Sequence, residues 1–145
     1  MFKHLLMPTD GSETSTRAIN AGIVFAKEIG AKVTGIHVMS EFHVITYQTE
    51  MLEDTKDKFM TESIAQAKKY LAEFETAAKA AGVQFDTIFV ASDHPFEEII
   101  KAAQTKQCDL ITMASHGRKG LKGLLLGSET QKVLTHSPIP VLVFR

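Results

Sequence analysis

The chain has 145 residues, enough for about one domain with a real core and too few for two comfortable ones. Its 44% hydrophobic and 23% charged residues are ordinary for a soluble globular protein, and a net charge of −1 gives bulk electrostatics no reason to favour nucleic acid or a membrane surface. One cysteine, Cys108, allows no internal disulfide and fits a reducing cytoplasm. No signal-peptide pattern opens the chain, and no apolar run approaches the ~18 residues that span a bilayer.

Leu5-Leu6-Met7 is a short apolar run stopped by Pro8-Thr9-Asp10-Gly11, so it reads as a first buried strand and its turn. Ser12 then caps a helix carrying Ile19, Ile23, Ala26 and Ile29 on one face, with Gly30 as its C-terminal stop. Lys32 to Met39 is a second strand, rich in β-branched residues. After a less patterned stretch, the longest helix is expected from Met51 to Ala81. Its seam of Met60, Ile64, Ala67, Leu71, Phe74, Ala78 and Ala81 is spaced alternately four and three, and Gly82 ends it. Val83 to Val90 reads as strand three, Ser92 to Pro95 as a helix start with Phe96, Ile99, Ile100 and Ala103 inward, and Asp109 to Ala114 as strand four. A short helix from Glu129 to His136 and a terminal strand, Val141 to Phe144, follow. Alternating strands and helices with continuously apolar strands predict an α/β protein with a parallel sheet buried on both faces. In a 3-2-1-4-5 order, the loops after strands one and four would face each other at the switch point, where such sheets bind ligands.

The segment from Met113 to Ser128 carries the chemistry. Four of the nine glycines (Gly117, Gly120, Gly123 and Gly127) are interleaved there with Arg118, Lys119 and Lys122, between an apolar strand and a helix start. Backbone N–H groups approach an anion closely where no Cβ intervenes, and a helix N-terminus favours negative charge, so the segment suits phosphate. It matches neither the Walker loop nor the dinucleotide fingerprint. Gly117-Arg118-Lys119-Gly120 is formally the basic GxxG with which KH domains clamp RNA, but those loops join two helices and this one follows a strand. No nucleic-acid partner is therefore expected.

Gly117, followed after nine residues by Gly127-Ser128, resembles the G-x2-G-x9-G-[ST] motif of the universal stress protein family, placed after strand four as it is there. The likeness extends to Pro8-Thr9-Asp10-Gly11-Ser12, His37-Val38 and the Ser137-Pro138-Ile139-Pro140-Val141-Leu142-Val143 ending. It implies an adenine nucleotide alpha hydrolase-like fold: a three-layer α/β/α sandwich with a five-stranded parallel sheet. It also implies an ATP site, with Pro8, Thr9 and Asp10 framing adenosine, Val38 at the adenine, and Met113, Ala114 and His116 at the strand-four exit. Gly117, Arg118, Gly127, Ser128, Glu129 and Thr130 would lie along the phosphates, with Mg²⁺ carried on them. The departure is Ala114, which stands where the first glycine is expected. A methyl there is costly if the position needs positive φ and tolerable if it only lets the ligand come close.

Several of these residues have plainer readings. Ser128-Glu129-Thr130-Gln131 is also a capping box, Asp10 a turn residue, and His116 a solvated loop histidine. His37 is read as a hydrogen-bonded strand residue and Cys108 as a small core residue. No histidine or carboxylate pair has metal-site spacing, so no protein-held metal is expected. Three functions stay open: a nucleotide-binding regulatory module, a slow ATPase or self-phosphorylating protein using Asp10, His116 or Glu129, and a dimeric adaptor. The family resemblance implies a homodimer through Val141 to Phe144.

Overall fold

The computed structural model describes residues 1–43, 49–118 and 126–145, with side chains described from residue 53 onward in the long helix. The elements run β1 (His4–Pro8), α1 (Glu13–Ile29), β2 (Lys32–Met39), α2 (Thr49–Ala81), β3 (Phe85–Ala91), α3 (Pro95–Thr105), β4 (Leu110–Ala114), α4 (Ser128–His136) and β5 (Val141–Phe144). Five strands form one sheet in the order β3-β2-β1-β4-β5, and all pairings are parallel. The expected order is therefore the observed one.

Period-two alternation in the strands splits the core into two layers. Leu5 and Met7 of β1, Val33 of β2 and Leu110 of β4 pack with Ile19, Ile23 and Ala26 of α1 and with Phe74 and Ala78 of α2. Leu6, Ile36, Ile111 and Met113 face the other way, onto Ile99, Ala102 and Ala103 of α3 and Val133 of α4. Burying a side chain as large as Phe74 contributes roughly 1.5–3 kcal/mol relative to leaving it in water. Cys108 joins the second layer, where burial and then Asp109 push its thiol pKa up to about 12, so it stays protonated and unreactive at neutral pH.

Helix ends follow the local sequence. Ser12 Oγ accepts from Ser15 N at 3.1 Å, and Gly30 closes α1 at φ +68, a conformation that an L side chain resists. Strand three starts two residues later than its pattern suggested, because Val83 packs under α2 before β3 begins at Phe85. None of the helices among the described residues is long and apolar enough to cross a membrane.

At the opposite end of the sheet from the strand-one turn, the Asp109 carboxylate accepts from Lys3 N at 2.8 Å and His4 N at 3.0 Å, tying β1 to the entry of β4. His4 is buried beside it, with Nε2 2.7 Å from Thr34 Oγ1. Burial first, then the positive Lys32, lowers the His4 pKa; a backbone contact at Lys106 and the charges of Asp109 and Asp86 oppose this without reversing it. The native state thus takes up a proton less readily than the unfolded chain, whose histidine titrates near 6.5. Stability should be full above about pH 6.5 and fall as the pH drops below it toward the native pKa. Urea unfolding at pH 7.5 and pH 5 should show this loss, and His4→Gln should flatten that part of the profile.

Candidate nucleotide site

The switch point lies between β1 and β4, which pair through Leu5↔Leu110 and Leu6↔Ile111. Beyond them the chain turns to opposite faces, to α1 after β1 and to α4 after β4. The loops are nonetheless tied together. Asp10 Oδ1 accepts from Ser12 N at 2.9 Å, closing an Asx turn, while Oδ2 accepts from Arg118 N at 2.6 Å across the gap. Asp10 is therefore both a turn residue and a bridge. A Cβ on Gly117 would collide with that same Oδ2, so glycine here serves close approach.

The closing glycine of the motif works the same way. Gly127 N donates to Ser115 O at 2.6 Å, and a Cβ on Gly127 would come within 3.0 Å of His116 Cα. The helix start is thus pressed onto the β4 exit. Ala114 raises no conformational difficulty: it is the last residue of β4, and Gln107 is the one non-glycine at positive φ among the described residues. Its carbonyl accepts from Thr130 Oγ1 at 3.0 Å, which fixes α4 against the strand.

Three expected residues have other work. Ser128 is the first residue of α4 and Gly127 is the N-cap, with no side-chain capping bond, so the capping-box reading of Ser128 is corrected. The reason is register: Gln131 N already bonds Gly127 O, which puts the cap one residue earlier. Glu129 turns away from the loop, its carboxylate accepting from Phe96 N at 3.0 Å and pairing with Lys132 at 3.1 Å. It supplies α3 with the cap that His94 does not make, at a dipole end that favours an acid. Thr130 is buried, and its hydroxyl is committed to Ala114.

Pro8 ends β1 opposite Ile36, and Thr9 N bonds Ile36 O at 2.8 Å, holding this loop to β2. Val38 is half-buried against the α3 and α4 layer, and Met113 is buried within it. His116 Nδ1 lies 3.1 Å from the Ser115 hydroxyl. The lysines and inner glycines of the loop, 119–125, lie outside the described residues.

Sequence reasoning missed Tyr70. It sits on α2 among the seam residues, one turn before Phe74, and its hydroxyl accepts from Arg118 Nη2 at 2.9 Å. Its ring fills the space where a Cβ of Gly11 would lie, and the His37 ring meets it edge-on at 5.1 Å. His37 Nδ1 in turn bonds Thr9 O at 2.7 Å, the hydrogen-bonded strand role expected of it. The only sequence signal was a polar-tipped aromatic beside an otherwise apolar seam.

Spacing along the chain also hid a second cluster. Glu41, His43 and Asp93, from the segments after β2 and β3, offer one donor atom each within 4.8 Å of one another, and all three are exposed. His43 Nε2 pairs with Asp93 Oδ2, and Asp93 Oδ1 accepts from Glu41 N at 3.1 Å. The His43 hydrogen bond is the main cause of a lowered Asp93 pKa.

This architecture has known relatives. A sequence model of the universal stress protein family matches residues 1–145. The chain belongs to that family. Universal stress protein YxiE of Bacillus subtilis is 35% identical over 149 residues, covering 100% of both chains. Universal stress protein MJ0577 of Methanocaldococcus jannaschii is 30% identical over 156 residues, covering 100% of this chain and 96% of its own. A solved structure of MJ0577 superposes with a TM-score of 0.84 at 32% identity, covering 99% of this chain and 95% of that one. A universal stress protein solved in complex with cAMP shares the fold, with a TM-score of 0.72 at 24% identity over 99% of this chain and 97% of the other.

The Asp10 bridge can be checked directly. Asp10→Ala should speed exchange of the Arg118 and Ser12 amide protons and cost about 1–3 kcal/mol of local or global stability. Unchanged protection at both amides would mean that the loops do not depend on it.

Proposed function

We propose that this universal stress protein binds an adenine nucleotide, ATP foremost, in the crevice between the β1 and β4 exits, and that it acts in the cytoplasm as a regulatory module of a stress response. The observation that carries the reading is the start of α4. Gly127 caps it without offering a side-chain acceptor, so the first-turn N–H groups open at the switch point with glycine on both sides of the loop. The phosphates lie along Gly117, Arg118, Gly127, Ser128 and the backbone of Glu129 and Thr130, with Mg²⁺ on them. Pro8, Thr9 and Asp10 frame the nucleoside, and Val38 contacts the base. Met113, Ala114 and His116 form the wall between. The universal stress protein solved with cAMP shows that this fold can carry an adenine nucleotide in that relative.

Binding without turnover is the simpler reading. Hydrolysis needs a group that orients water, and the Asp10 and Glu129 carboxylates already serve as a loop bridge and a helix cap. Equilibrium dialysis should show ATP retained by the wild-type protein and binding weakened at least tenfold, roughly 1.4 kcal/mol, by Gly127→Val. A wild-type protein that retains no adenine nucleotide would sink the proposal.

A dimeric assembly is the second part of the reading, favoured by the place of β5. It is the outer strand of the sheet, with Val141, Leu142, Val143 and Phe144 half-buried. An apolar edge invites pairing with a second copy, which would cover its free backbone groups. Sedimentation at micromolar concentration should return twice the chain mass; a monomer would contradict the pairing.

A further inference from the structure

We propose that Tyr70 is a positioning residue for Arg118: it holds the guanidinium on the α2 side of the sheet, and phosphate must compete for it. The inference rests on the nucleotide reading above and adds the residue that sets how strongly the phosphates are felt.

The geometry confines the choice to one side chain. The backbone of Arg118 is anchored by its N–H to Asp10. Its guanidinium donates to the Tyr70 hydroxyl and lies 5.7 Å from the ring centroid, within cation–π range. Tyr70 is only 8% exposed, enclosed by Gly11, by the edge of His37 and by the Gln66 amide, which donates to the same hydroxyl. The phenol therefore cannot follow Arg118, whereas the exposed arginine can leave the phenol.

The two destinations lie on different faces. Tyr70 belongs to α2, which packs with α1 on one side of the sheet, whereas α4 packs with α3 on the other. To cover phosphates at Gly127 and Ser128, which start α4, the guanidinium would leave Tyr70. A polyphosphate carries full charges where the phenol offers only a neutral oxygen, so it wins the exchange. Part of its binding energy is spent breaking the Tyr70 contact. A ligand without phosphate has no call on Arg118 and leaves the contact intact.

Calorimetric titration of wild type, Tyr70→Phe, Arg118→Gln and the double variant with ATP and with adenosine tests this. Phenylalanine keeps the ring against Gly11 and His37 and removes only the hydroxyl. Tyr70→Phe should tighten ATP about threefold to tenfold and leave adenosine unchanged, and it should have no effect when Arg118 is already glutamine. An ATP affinity unchanged or weakened by Tyr70→Phe, or an equal shift for adenosine, would overturn the proposal and leave Tyr70 a wall residue. Failure of the nucleotide reading looks different: the wild-type protein itself would then give flat titrations with both ligands, and the proposal would fall with it. Should Tyr70→Phe not fold, Tyr47→Phe leaves Tyr70 as the sole tyrosine in a chain without tryptophan. ATP should then perturb the phenol absorption, and Arg118→Gln should abolish the change. ATP binding with no such change would count against the exchange.

Discussion

Parallel pairing of β1 with β4 at the centre of the sheet is the constraint on which the rest depends. Their following segments leave for opposite faces, the arrangement at which open parallel sheets bind ligands. Asp10 bridges the two exits. Its carboxylate accepts one backbone N–H from each loop, so a single side chain sets both the turn into α1 and the position of the chain after β4. Gly117 and Gly127 follow from this closeness, since a Cβ at either would strike Asp10 or His116.

Around the two strand exits, many polar side chains hold protein to protein. Glu129 caps α3, Thr130 bonds the β4 carbonyl, and His37 fixes the Thr9 carbonyl. Such partners tie the β1 and β4 exits to the sheet and to the helices. That network sets how the two exits sit against each other. It also makes the partner of Arg118 consequential, which gives Tyr70 its importance.

Membership of the universal stress protein family was legible in the motif and confirmed along the full chain. The element types were legible too, because the apolar runs alternate with helical seams throughout, whereas the strand order came from the fold class that this alternation implies. Legibility stopped where a residue's role depends on a partner far along the chain. The capping box at Ser128 was a sound local pattern, but contact between Gly127 and Ser115 placed the helix start one residue earlier. Glu129 was assigned to the loop that precedes it in sequence, whereas its carboxylate accepts from Phe96 N, far from it along the chain.

Ala114 shows the same division from the other side. The sequence posed the question of whether alanine could stand at a glycine position, and no local rule could answer it. The fold answers its backbone half, since a residue that ends a parallel strand has ordinary extended backbone and its methyl brings no conformational strain. What the sequence determined by itself was periodic and local: strands and helices, their stops, and the glycine–cation loop. Only the tertiary structure decided which side chains meet, because Asp10, Tyr70 and Arg118 are brought together by a sheet order that no short window contains.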